Sequence, residues 1–148
     1  MFIPVRALFT PCFLAPLLLL NACGADDGEA RALLARVQSQ NYRSWPRAPG
    51  WETRSPSSAH TQTSDIFTND TLAASLATDP GHESVPEGSL IVKDGYNADH
   101  LALIAIMQKR SSGWYWAEYS ASGEPSAFGQ PPVCTNCHQL GTDFIRAF

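Results

Sequence analysis

The chain has 148 residues, 44% hydrophobic and 16% charged, a composition that fits one ordinary globular domain and argues against a disordered tail or a multi-domain enzyme. Ten basic residues against 14 acidic ones leave a formal charge of -4, so no positive field gathers phosphate backbones, and no nucleic acid partner is expected. The scarce reactive side chains are two lysines, Lys93 and Lys109, and four cysteines, Cys12, Cys23, Cys134 and Cys137.

The chain begins with one cation, Arg6, and an apolar run over residues 7–20 interrupted by Thr10, Pro11 and Pro16. Two internal prolines and a run shorter than the roughly 20 apolar residues of a membrane span make it a poor anchor helix and a good secretory signal peptide over residues 1–22. Its end, Leu20-Asn21-Ala22-Cys23, resembles a bacterial lipobox, in which Cys23 becomes the first residue and is acylated on sulfur. The competing reading is ordinary cleavage near Ala22 or Ala25, with Cys23 lost or unmodified. Small, polar and acidic residues follow Cys23, as a tether would need. Aspartate does not directly follow Cys23, so the lipobox reading expects a lipid anchor on the periplasmic side of a bacterial membrane, the outer one. Cys12 then leaves with the leader, and residues 23–41 form a lipidated tether and short helix ahead of a domain over 42–148.

Further along, residues 29–41 place Ala32, Leu33, Val37 and Leu34 at helical spacing. Prolines 46, 49 and 56 with Gly50, Trp45 and Trp51 read as an extended loop pinned by aromatic side chains over 42–60. Residues 63–67 fit a short strand; Asn69 or Asp70 then caps a helix over 71–77 that Pro80-Gly81 ends. After the turn Pro86-Glu87-Gly88, residues 89–93 are strand-like. The apolar run over 101–107 is a buried strand or helix, and Trp114-Tyr115-Trp116-Ala117-Glu118-Tyr119 reads as a strand paired with it. A Gly/Pro/Ser loop over 120–132 follows. The expected fold class is α+β, a mostly antiparallel β-sheet with flanking helices.

That loop delivers Cys134-Thr135-Asn136-Cys137-His138, the C-x-x-C-H pattern of c-type haem attachment. Two thiols three residues apart on a tight turn can add to the two vinyl groups of one porphyrin, and His138 can ligate the iron from the proximal side. The expected cofactor is one covalent haem c per chain. Three other uses compete. A thioredoxin-type redox pair would need a βαβ context. Zinc would need two ligands besides the thiols, from His60, His82, His100 and His138. A plain disulfide would not need the histidine. Only ten residues follow His138 and none is Met, His or Lys, so Met107 is the single methionine left to serve as a second axial ligand once the leader is gone. An open distal face binds small molecules, whereas a six-coordinate iron mainly passes electrons.

The ordered series Pro86-Glu87-Gly88-Ser89-Leu90-Ile91-Val92-Lys93, Met107-Gln108-Lys109, Gly113-Trp114-Tyr115-Trp116, then C-x-x-C-H with Thr142-Asp143-Phe144 after it, resembles the cytochrome P460 family, which includes the cytochromes c′-beta. The resemblance covers roughly residues 42–148 and lies in the order of several motifs. It implies a five-coordinate haem c in a mostly antiparallel β fold, with Cys134 and Cys137 as thioether links and His138 as proximal ligand. It also implies a covalent bond from Lys93 to the porphyrin edge, against which stands a solvated strand-end lysine beside Asp94. Relatives that oxidise hydroxylamine carry a distal carboxylate. Residues 101–107 contain none, which leaves Glu118 as the candidate catalytic group, on a face its strand's alternation does not fix. Gas-binding relatives carry an apolar cap, for which Leu103, Ile104, Met107, Phe128 and Tyr96 are candidates. The expected function is thus binding or oxidation of hydroxylamine or nitric oxide, passing electrons to a periplasmic acceptor. The alternatives are non-catalytic nitric oxide capture and electron transfer alone. The family's habit of pairing implies a homodimer.

Overall fold

A computed structural model describes residues 27–57 and 59–148; the leader, Cys12 and the lipobox with Cys23 lie outside the described residues. The fold is α+β. Six strands, β1 (Ser55–Pro56), β2 (Thr63–Thr68), β3 (Leu90–Asn97), β4 (His100–Arg110), β5 (Gly113–Ser120) and β6 (Pro125–Gly129), form one antiparallel sheet in the order of the chain. Among the described residues, three helices accompany it, α1 (Gly28–Ser39), α2 (Asp70–Thr78) and α3 (Pro132–His138).

Helix α1 buries Ala30, Leu33, Leu34 and Val37, an i, i+3, i+4, i+7 stripe. Ala32, expected on that stripe, is exposed, because Ala30 is the residue one helical turn before Leu33 and Leu34. Tyr119 on β5 donates its hydroxyl to the Ala30 carbonyl at 2.7 Å, fixing the helix to the sheet. The proline-rich stretch contains a 3-10 turn over Tyr42–Ser44 and the two-residue strand β1. Its tryptophans pin it to opposite sides of the sheet, Trp45 to the core shared with α1 and Trp51 to the other core.

Asn69, not Asp70, caps α2. Its side-chain oxygen accepts from Leu72 N at 3.2 Å and Leu90 N at 3.0 Å, and its amide donates to the Gly88 carbonyl. The cap thereby joins the helix to the turn before β3. Strand β3 runs four residues past the expected end at Lys93, because Asp94 finds partners on one side and Gly95 lies so close beneath Thr61 that a Cβ there would collide with it. The apolar run 101–107 is a strand, β4, carried on by Gln108, Lys109 and Arg110. The segment read as a loop over 120–132 holds strand β6, paired with β5 across an irregularity at Glu118/Tyr119; Pro125 and Gly129 masked it. The haem-type motif lies on helix α3 rather than a tight turn, and Pro132 stands at the helix start, where its missing N–H costs nothing.

Because side chains opposite one another in a ladder share a face, register sorts the sheet. Phe67, Val92, Ile106 and Ala117 form one row and, with Ile104, Tyr119 and the apolar stripe of α1, make the first core. Ile66, Lys93, Ala105 and Glu118 form a row on the other face. Next to it, Ile91, Met107 and Trp116 join Leu72 and Leu76 of α2, Ala48, Val85 and Ile145 in the second core. Full burial of an aliphatic side chain such as Val92 or Ile106 contributes about 1.5–3 kcal/mol, so the two cores dominate the favourable terms. Lys93 and Glu118 are the polar interruption of the second face.

Candidate functional site

The interruption opens into a cavity of about 320 Å3, within the range of roughly 300–1,000 Å3 usual for small-molecule and cofactor sites. Its sheet wall carries Lys93, Met107 and Glu118, and helix α3 supplies Cys134, Cys137 and His138. The structure therefore brings together the Lys93, Glu118 and C-x-x-C-H residues that the sequence singled out, although 45 positions separate Lys93 from His138. Glu118 stands on the same face as Lys93, two strands away, which alternation within β5 alone did not fix.

Lys93 lies inside β3 rather than at its end, and Asp94 points to the opposite face, where it pairs with Arg43 at 2.6 Å. The Lys93 ammonium donates to Ser57 Oγ at 2.9 Å and to the Ala59 carbonyl at 2.8 Å, and burial lowers its pKa. It is thus a partnered, half-buried amine and not a solvated strand-end lysine. Glu118 is held below the ordinary carboxylate range, first by a hydrogen bond with His60 Nδ1 at 2.8 Å. His60 was visible in the sequence only as one of four imidazoles. Nothing local marks its role, since its partner stands 58 residues away.

Cys134 is half-buried, Cys137 is exposed, and both are free thiols; burial raises the pKa of Cys134. The His138 ring stands edge-on to Trp116, with centroids 6.3 Å apart. Its Nδ1 lies 2.9 Å from the Phe144 carbonyl, and because a carbonyl only accepts, Nδ1 carries the proton. Nε2 is left as the nitrogen with a free lone pair. Burial lowers the pKa of His138 and favours the neutral imidazole, the form that ligates metals.

Of the five apolar cap candidates, Met107 alone lines the cavity. Ile104 and Phe128 belong to the first core on the other face, and Leu103 and Tyr96 do not line the cavity. Trp51, Ile66, Ile91 and Ile145 supply the apolar lining instead. Ile91 lies inside the series over 86–93 and Ile145 directly follows Phe144, yet only register and packing show that they face the cavity, while Trp51 and Ile66 are far from the motifs in sequence.

The residues present could hold a haem c. Two free thiols, a neutral imidazole with one nitrogen held by the backbone, and an apolar cavity behind them match what covalent porphyrin attachment requires. Among the described residues the sheet is all antiparallel and supplies no βαβ unit for a thioredoxin-type pair. Among the described residues no group of three or more His, Cys, Asp or Glu side chains is gathered for a protein-only metal site. Nor, among them, is any helix long and apolar enough to cross a membrane. Comparison with protein families and with curated proteins finds no match to this chain.

Proposed function

We propose that this chain is a haem c protein resembling the cytochrome P460 family, and that it oxidises a small nitrogen species, hydroxylamine or nitric oxide. The observation that carries the proposal is the convergence of Cys134, Cys137 and His138 with Lys93 and Glu118 on one cavity. Cys134 and Cys137 would hold the haem through thioether bonds, and His138 Nε2 would be the nitrogen that ligates its iron. When bound, the haem supplies the redox chemistry and an iron site for the substrate.

The chain's own residues do the rest. Glu118, kept ionised by His60, accepts protons released as the substrate loses electrons to a periplasmic acceptor. Ile66, Ile91 and Met107 limit water around it. Lys93, with its pKa lowered by burial, lines the same cavity and would be the residue that meets the porphyrin edge. The lipobox reading puts the domain on the periplasmic side of the outer membrane, tethered through Cys23.

A second reading, nitric oxide capture without turnover, is favoured by the apolar lining. One preparation separates the two. Protein matured in a periplasm competent for haem c is digested and analysed by mass spectrometry, its reduced absorption spectrum is recorded, and hydroxylamine consumption is followed with a redox-dye acceptor. Haem on a peptide containing Cys134 and Cys137, with a red-shifted Soret band and turnover that Glu118→Gln abolishes, is the expected result. Haem-free peptides overturn the proposal, and haem with nitric oxide binding but no turnover leaves capture as the function.

A further inference from the structure

Residues 139–148 follow α3 and pair with no strand of the sheet, yet they carry the carbonyl that holds His138. The segment is fastened by Ile145, buried in the second core, by Trp51 Nε1 donating to the Ala147 carbonyl at 2.6 Å, and by the side chain of Asp143. Asp143 accepts from Lys109 Nζ at 2.7 and 2.8 Å, from Val85 N at 2.9 Å and from Trp114 Nε1 at 3.2 Å. These donors come from β4, β5 and the loop before β3, and both members of the ion pair are largely buried, with side chains 18% and 11% exposed.

Asp143 and the next residue, Phe144, have φ of +42° and +62°. Two successive non-glycine residues in the left-handed region cost roughly 1–2 kcal/mol each, and such strain persists only where the surroundings over-determine it. Here it turns the Phe144 carbonyl back toward α3 to accept from His138 Nδ1. The same turn is closed by Ile145 N donating to the Thr142 carbonyl at 2.8 Å, and a Cβ at Gly141 would collide with the Ile145 carbonyl.

We propose that Asp143, anchored by Lys109, is the positioning residue for His138 as a metal ligand. The pair sets the place of the Phe144 carbonyl relative to the sheet, and through it the tautomer and orientation of the imidazole. A carboxylate serving only to fasten the C-terminal segment would have no need to sit in a strained turn immediately before the carbonyl that touches His138. Donors from two strands and the loop before β3 make the clamp rigid with respect to the cavity wall, where a bond within α3 would fix the ring only to its own helix. Hydrogen bonding at the outer nitrogen of a ligating histidine raises its donor strength and tunes the metal. This inference rests on the haem reading but gives Asp143 and Lys109 a role which that reading does not assign them.

The test uses haem-loaded Asp143→Asn and Lys109→Gln, with Lys109→Arg as the conservative variant. The iron–histidine stretching band of the ferrous protein and the midpoint potential are recorded beside the far-UV dichroism. Loosening the carbonyl should weaken the pull on Nδ1–H, lower the stretching frequency and raise the potential. A tenfold effect, the low end for outer-sphere partners of metal ligands, corresponds to about 59 mV for one electron. Lys109→Arg should return both values toward those of the parent. Variants that keep the fold yet load little haem also support the proposal. Variants with the parent's band and potential overturn it, as do variants that lose the fold altogether, since Asp143 would then be a structural fastening. A parent chain that takes up no haem in the same maturation overturns the haem reading and this inference together, and so is distinguishable from failure of the inference alone.

Discussion

Asp94→Ala is expected to destabilise the protein by about 3 kcal/mol, and the contacts of the side chain show why the figure lies near the low end for breaking a buried ion pair, about 3–5 kcal/mol. The Asp94 side chain is fully buried, directly behind the cavity wall. One oxygen accepts from the Tyr42 hydroxyl at 2.7 Å and the other from Arg43 Nε at 2.6 Å. Arg43 is half exposed, so once its partner is gone its guanidinium re-enters water at little cost. Tyr42 has no such escape. It is 2% exposed, and burial raises its pKa, so it stays a protonated donor left with no acceptor, a penalty of about 1–3 kcal/mol. Arg43→Ala should cost at least as much as Asp94→Ala, because it leaves the buried Asp94 carboxylate without its counter-charge, and Tyr42→Phe should cost least, because the ion pair survives it. Urea unfolding measures this order: with a slope of about 1–3 kcal/mol per molar, the midpoint of Asp94→Ala should fall by about 1–3 M. The double variant Asp94→Ala/Tyr42→Phe should be less damaged than the two losses summed, by about 1–2 kcal/mol. Strict additivity, or a loss for Asp94→Ala below about 1 kcal/mol, would refute the argument that Tyr42 carries the cost.

Because Glu118 has a folded-state pKa below its unfolded value, it contributes stability above the ordinary carboxylate range that is lost as pH falls through the depressed value. His60→Ala should shift that acid transition to higher pH, read from melting temperature against pH; an unmoved transition would show that the His60 contact does not hold the carboxylate. Met107→Ala should cost about 2–5 kcal/mol as a core truncation, yet leave the reduced absorption spectrum of the haem-loaded protein unchanged; a changed spectrum would indicate methionine ligation. Gly141→Ala should reduce haem loading, because the new Cβ meets the Ile145 carbonyl and pushes apart the turn that holds His138; loading equal to the parent's would contradict this.

The α+β class and the antiparallel strands were legible because β-branched and aromatic runs alternate with turn residues from position 86 onward. Strand β6 was not, since Pro125 and Gly129 at its ends give the composition of a loop and only the partner β5 makes it a strand. The same division holds for the site. Cys134, Cys137, His138 and Lys93 could be picked out by motif and scarcity. His60 and Asp143 act through partners 58 and 34 positions away, and no local pattern encodes such pairings. The face used by Glu118 needed register, which is a property of three strands together.

The ends of the sheet carry a consequence for assembly. Strand β1 has two residues, one of them Pro56, which has no N–H to offer a neighbour. Strand β6 has five, begins with Pro125, and pairs with β5 through an irregular register. Neither border presents the long, flat row of unpaired amides and carbonyls on which another chain can add a strand. Among the described residues, two copies that meet would find side chains on the faces and helices rather than an open strand edge on which to extend the sheet.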